Sequence, residues 1–453
     1  MSIASFRTWK VVVLAALCLT TVAYAQEVTA PAVAEPAAAP APDLVAPAPV
    51  APVAAVTRKP TFSFGGEYRP RVEVRNGPET IYLGKDPLTN VNFSHRARLK
   101  AAGEWNGFGV TLSPQDVRQW GAESSTTALT SPVMEMHEAY AQYATTSVLV
   151  RVGRQELPFD DDRVMGAGNW TQQGRVFDAV RAGWRADGGV GDMDIFGAIM
   201  GVKTKPLTPV LNPATDFFLL GVHARYAPIK EVNLTAIGLL EKGMRTGFDR
   251  FTVGWRAVAR KEVMVADAAT YFQMGSIEQV PGTSQKLKSW MAALRMGYDD
   301  PKSFGLVAGG DILSGDDDGK DNITRSFDTL YGTAHKWYGT MDYFTSFSPD
   351  SKKNHTAGFG LVDGLVNLKY AGVDKLKLQL DQHVFATERS TAAGNSLLGA
   401  ETDLTVEYGI NQYVRISGGY SIFVFGDAMV DIGRVRTTDD LGHWSWLMTS
   451  FQL

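Results

Sequence analysis

The stretch Arg151–Trp184, RVGRQELPFDDDRVMGAGNWTQQGRVFDAVRAGW, reads as a strand, a long irregular loop and a second strand. Around the first strand, Ser147, Leu149, Arg151, Gly153 and Gln155 alternate with Val148, Val150 and Val152. On the second, Arg175, Arg181 and Arg185 share a parity opposite Val176, Val180, Ala182 and Trp184. Successive side chains of a strand point to opposite faces, so each strand has one wet and one apolar face. Repeated mid-strand arginines backed by Val and Trp fit a wall between water and lipid better than one face of a soluble sheet. The loop between the strands holds Asp160, Asp161 and Asp162.

The same rhythm runs outward in both directions. Strands are expected at 62–75, 92–105, 108–118, 135–144, 147–155, 174–186, 191–202, 216–227 and 230–240. The second half repeats them at 250–260, 262–274, 287–298, 303–313, 355–370, 374–388, 398–409, 412–425 and 442–453. Every second connection is short, as at Asn106-Gly107, a strong hairpin signal. The others are long, up to 314–354. Eighteen strands joined alternately by tight turns and long loops predict an all-β fold: a transmembrane antiparallel outer-membrane β-barrel with short periplasmic turns and long outer loops.

Parity assigns the two faces. Glu67, Arg69, Arg71 and Glu73 oppose Tyr68, Val72 and Val74; Asn92, Ser94, Arg96, Arg98 and Lys100 oppose Phe93, Ala97 and Leu99. Lys377, Gln379, Asp381 and His383 oppose Leu376, Leu378, Leu380 and Val384. A charge on the lipid face costs about 2–4 kcal/mol at the bilayer midplane, so the charged parity is the lumen.

The N-terminus predicts the compartment. Arg7 and Lys10 precede the apolar run VVVLAALCLTTVA, which ends in Ala23-Tyr24-Ala25. This is the form of a secretory signal peptide over 1–25, with the mature chain starting at Gln26. The single cysteine, Cys18, lies inside it, so the mature protein has no disulfide or thiol chemistry. Residues 26–60 are a Pro/Ala-rich periplasmic tether unable to bury a core. The barrel occupies 61–453. With 44 basic and 48 acidic residues the chain carries no nucleic-acid footprint. It has no G-x-S-x-G and no H-E-x-x-H, and no enzyme activity or cofactor is expected.

The anion path is expected along Arg69, Arg71, Arg96, Arg98, Lys100, Arg118, Arg151, Arg154, Arg175, Arg181 and Arg185. Rings of Arg and Lys select anions, and Arg pairs bidentately with carboxylates. Arg154 and Glu156 have the opposite parity to Arg151, and enter the lumen only where the strand has ended or bulged. Loops 156–173 and 314–354 are rich in aromatics and are expected to fold inward. The first would narrow the lumen with Glu156, Asp160, Asp161, Asp162 and Trp170. The acidic runs Asp160–Asp162 and Asp316–Asp318 lack the spacing of a calcium loop and are expected to be solvated charge, with no metal site.

Gly153-Arg154-Gln155-Glu156, the run Asp160–Arg163 and Trp170-Thr171-Gln172-Gln173-Gly174-Arg175-Val176-Phe177-Asp178 resemble the alginate export family of outer-membrane barrels. Gln115–Gly121, Leu330–Lys336 and Gly399–Asp403 add to the resemblance, which spans roughly 62–453. It implies a monomeric eighteen-stranded barrel with an arginine-rich lumen that passes anionic polyuronate. The expected setting is the outer membrane of a Gram-negative bacterium, among lipid and lipopolysaccharide, after insertion by the barrel-assembly machinery. The expected function is a passive channel for an anionic polysaccharide or oligosaccharide. The alternatives are an uptake porin for small anionic solutes and a non-conducting surface-binding barrel.

Overall fold

The computed structural model describes residues 59–78, 87–122, 134–201, 217–243, 248–280, 283–347 and 354–453. The expected signal peptide and tether fall outside these residues, apart from Lys59 and Pro60. The wall begins with β1 (Thr61–Pro78), β2 (Pro87–Trp105), β3 (Phe108–Gln119), β4 (Glu135–Ala144), β5 (Val148–Gln155) and β6 (Phe177–Arg185). It continues through β7 (Gly191–Met200), β8 (Phe217–Ile229), β9 (Val232–Gly243), β10 (Asp249–Lys261), β11 (Met264–Val280) and β12 (Thr283–Asp299). It ends with β13 (Phe304–Leu313), β14 (Leu361–Val373), β15 (Leu376–Ala386), β16 (Leu397–Gly409), β17 (Val414–Phe425) and β18 (Leu441–Gln452). One further strand, Ile323–Thr324, is a two-residue addition within a loop.

Each wall strand pairs antiparallel with its neighbours in sequence, and β18 pairs back onto β1, with Glu67 opposite Gln452 and Arg75 opposite Trp444. The result is a closed eighteen-stranded antiparallel barrel with no free edge, which removes the template for edge-to-edge aggregation. Asn106 (φ 49°) and Gly107 (φ 83°) both take the positive φ of a two-residue hairpin turn.

The outer face is apolar: Val148, Val150, Val152, Phe251, Val253, Trp255, Leu404 and Val406 are all exposed on it. Beside the short turns stand exposed aromatics, including Trp105, Phe108, Trp184, Tyr226, Tyr370 and Tyr413. Such a girdle belongs at a membrane–water interface, and it lies at the short-turn end.

Three expectations shift. The strand expected at 174–186 starts at Phe177, so Arg175 is a loop residue. The strand expected at 355–370 starts at Leu361, because Asn354, His355 and Thr356 are buried in the preceding loop. The loop expected at 275–286 is almost consumed by strand: β11 and β12 keep pairing as far as Val280 and Thr283.

Candidate functional site

The connection 156–176 and the described residues 314–347 and 354–360 of the connection between β13 and β14 turn into the barrel rather than away from it. Leu157, Phe159, Val164 and Met165 of the first pack with Phe327, Tyr338, Met341, Tyr343 and Phe344 of the second. Inward-facing wall residues such as Phe196, Leu219, Leu239, Phe385 and Phe423 complete this buried cluster. Burial of that much aromatic surface explains why long loops stay inside an otherwise polar lumen.

The two loops are one body. Gly166 N–H donates to the Tyr331 carbonyl (2.9 Å), Tyr331 N–H to Val164 (3.0 Å) and Thr333 N–H to Asp162 (2.8 Å). Trp337 is the central tie. Its ring lies between the Arg163 guanidinium at 4.0 Å and that of Arg295, on β12, at 4.3 Å. Its Nε1–H donates to the Asp161 carbonyl (3.0 Å). Asp311 of β13 pairs with both Arg163 and Arg295.

The wall facing loop 156–176 is basic. Arg69 stands directly opposite Arg96 across β1 and β2, and Arg151 directly opposite Arg181 across β5 and β6. Like charges in that relation repel, so each pair needs acceptors around it. Glu67 pairs with Arg96. Asp194 takes both Arg181 (2.8 Å) and Arg185 (3.0 Å). Arg151 donates to Gln142 and lies 4.1 Å over the Tyr140 ring. Arg98 donates to Gln115, and Lys100 pairs with Glu138 (2.9 Å).

Two cations sharing one carboxylate recurs nearer the short turns. Asp299 takes Arg260 (2.7 Å) and Lys369 (3.9 Å), and Glu407 takes Lys377 (3.6 Å) and Arg415 (3.5 Å). Each such trio sets two cations against one carboxylate.

Across the lumen the wall is acidic. Asp311 faces Asp363 across β13 and β14, and Asp381 faces Asp403 across β15 and β16. Asp363 pairs with His383 (2.9 Å), and Asp381 takes the Gln379 amide (2.6 Å) as well as that of Asn367. Loop 314–360 docks here: Thr340 donates its hydroxyl to Asp403 (2.5 Å) and Met341 its N–H to Glu401 (2.7 Å).

Two of the sequence-predicted arginines do not face the lumen. Arg118 shares its parity with the exposed Val110 and Leu112, and pairs with Asp116 (2.9 Å) on the outer face. Thr111, Ser113 and Gln115, with the other parity, are the inward residues of β3, an alternation already readable in the sequence. Arg154 also points outward and pairs with Asp178 (2.8 Å) at the long-loop end of β5 and β6. Near the interface the penalty for an outward charge falls to about 0–1 kcal/mol, which pairing offsets. Arg175 turns onto the carbonyls of Gly166, Tyr331 and Gly332 and clamps the loops together.

The aspartate run is not solvated charge. Asp160 pairs with His223 (2.9 Å), Asp161 with Arg163 (2.9 Å) and Arg256 (3.3 Å), and Asp162 with Lys336 (3.6 Å). Burial pushes the Asp161 carboxyl up, but the two guanidiniums outweigh it and hold the group below its ordinary value. Asp162 has only a lysine, and burial leaves it above its ordinary value. Glu156 accepts from His137 (2.8 Å), and Trp170 stacks on His335 at 4.2 Å beneath the Arg71 guanidinium.

Sequence reading missed Arg163, Arg256 and Arg295 as lumen cations, although Arg256 alternates with Trp255. Among the described residues one grouping has metal-ligand chemistry: Asp192, Asp194 and His223. Arg225 already holds Asp192, while Arg181 and Arg185 hold Asp194, so the carboxylates are compensated before any cation arrives.

A family model described as alginate export matches residues 61–440. No curated protein sequence matches the chain. Solved structures with a similar fold include Pseudomonas aeruginosa OccK5 (OpdH), at 11% identity and a TM-score of 0.58, covering 86% of this chain and 98% of that one. Acinetobacter baumannii OccAB4 follows at 10% identity and a TM-score of 0.56, with coverage of 86% and 98%. A BenF-like porin from Pseudomonas fluorescens Pf-5 has 10% identity and a TM-score of 0.55, with coverage of 86% and 98%.

Proposed function

The chain belongs to the alginate export family, and from that premise we propose that it is a passive outer-membrane channel whose basic wall conducts an anionic polysaccharide or oligosaccharide. The supporting observation is the direct opposition of Arg69 to Arg96 and of Arg151 to Arg181. A wall stiffened only by ion-pair ladders opposes each arginine to a carboxylate. Two arginine pairs facing the lumen favour an anion passing them.

On the basic wall, Arg181 and Arg185 sharing the single carboxylate of Asp194 supply the mechanism. A passing carboxylate takes one guanidinium while the wall carboxylate keeps the other. The cargo thus moves between weak sites without a deep trap. Uronate units suit this, since each carries one carboxylate for bidentate pairing with arginine.

The second reading is a channel for small carboxylates. The two infolded loops favour it, because they leave less room for a polymer. Blockade of single-channel current by uronic-acid oligomers separates the two. Block that strengthens with oligomer length supports the polymer channel. Block independent of length, with free permeation of acetate, supports the small-anion channel. A barrel that conducts neither is the surface-binding alternative.

A further inference from the structure

The basic wall is occupied by the protein's own backbone. Arg69 donates from Nη1 to the Asn169 carbonyl (2.8 Å) and from Nη2 to that of Thr171 (2.9 Å). Arg71 Nη1 donates to the Trp170 carbonyl (2.9 Å). Arg96 Nη1 donates to Gln172 O (3.4 Å), and Arg98 Nη2 to Gln173 O (3.2 Å). Asn169–Gln173 is therefore a strap of successive turns and bends whose consecutive carbonyl oxygens are taken up by four guanidiniums.

We propose that Arg69, Arg71, Arg96 and Arg98 form a run of carboxylate subsites, and that the strap Asn169–Gln173 is a resident occupant that anionic cargo displaces. This rests on the anion-channel reading and adds the site and its regulation. A guanidinium binds a carboxylate through two parallel charge-assisted hydrogen bonds, which are stronger than bonds to neutral carbonyls. Cargo thus competes favourably for the same donors. Displacement also has a path: Gly168 (φ 58°) and Gly174 (φ 71°) bracket the strap in the left-handed region and can absorb a change in direction.

Two side chains hold the strap down. Gln172 accepts from Arg69 Nε (3.2 Å) through Oε1 and donates to Ser94 Oγ (3.0 Å). Trp170 lies between Arg71 and His335, with its edge contacts on Trp444 and Trp446. Neither is a cargo ligand in this scheme, so changing them frees the arginines without removing any.

The test uses the full barrel in planar bilayers. Ser94→Cys with Gln172→Cys is bridged by a short reducible bifunctional thiol reagent, and current is compared before and after reduction of the same sample. Uronic-acid oligomers of defined length are the probe. Bridging should suppress anion current and oligomer block at least tenfold, with recovery on reduction. In the unbridged barrel, Gln172→Ala should tighten oligomer block about tenfold or more, the effect of releasing the two charge-assisted hydrogen bonds that Arg69 gives Gln172 Oε1 from Nε (3.2 Å) and Nη2 (3.0 Å). Current and block unchanged by bridging would overturn the strap. Current that follows bridging but prefers cations would keep the strap as a gate and overturn the anion-channel reading.

Discussion

The two sides of the lumen follow one folding rule with opposite chemistry. The arc from β1 to β6 sets arginine against arginine, and the arc from β13 to β16 sets aspartate against aspartate. Neither opposition favours folding by itself. Each arc is relieved by the loop that docks on it. Loop 156–176 offers backbone carbonyls to the arginines, while loop 314–360 offers an N–H and a hydroxyl to the carboxylates. The infolded loops thus complement the charge of the wall as well as its shape. On the proposed anion-channel reading, an anion entering the lumen would compete with the loop on the basic arc and be repelled by the acidic arc, and its route would be along the first.

Reversing the basic arc should have the largest effect. Arg69→Glu with Arg96→Glu should weaken oligomer block by about 100-fold or more, two charge-assisted sites being lost and reversed. Asp381→Asn with Asp403→Asn should change block far less, about threefold at most, since cargo does not touch that arc. Next comes the tie between the arcs. Trp337→Ala removes the ring held between Arg163 and Arg295, and should destabilise the docked loops by about 3–5 kcal/mol. Protease cleavage within 314–360 and a higher open-channel current would report it.

The acidic-arc loop also carries a pH dependence. His355 is held down to about 4, by burial first and then by Arg434, against weaker upward pulls from Tyr343 and Asp342. Its Nδ1 accepts from Thr345 N–H (3.1 Å), a bond lost on protonation there. Above the ordinary histidine value of about 6.5 both docked and released states are neutral and docking is at full strength. As pH falls toward 4 the released loop binds a proton that the docked loop refuses, so docking weakens. Protease sensitivity of 314–360 should rise over that window and flatten in His355→Asn. The smallest effect belongs to Arg154→Ala. Its pair with Asp178 is exposed on the outer face, so stability should fall by under about 1 kcal/mol and ion selectivity should not move.

Much of the wall was legible because strand parity is a local property. Arg96 and Arg98 against Phe93 and Leu99, or Asp381 and His383 against Leu380 and Val384, can be read from a few residues. The same alternation sets Arg118 outward with Val110 and Leu112, so its place on the outer face is equally legible in the sequence. The opposition of Arg69 to Arg96, or of Asp381 to Asp403, depends on register between strands. The partners of Asp160, Asp161 and Asp162 are remoter still: His223, Arg256 and Lys336 come from β8, β10 and the second loop. An acidic run in a loop looks solvated until the fold brings such cations to it. Arg175 was misjudged for a related reason. Its parity matched Phe177, but the strand had not yet begun, and its guanidinium follows the loop.

The central claim is that the basic arc sets the path of ions through the barrel. Reversal potential in a potassium chloride gradient tests it directly, comparing the native barrel with the combined Arg69→Ala, Arg96→Ala and Arg98→Ala variant and with Arg118→Ala as the outward-facing control. The native barrel and the control should prefer anions alike, and the triple variant should lose that preference. A cation preference in the native barrel, unchanged in the triple variant, would contradict the account.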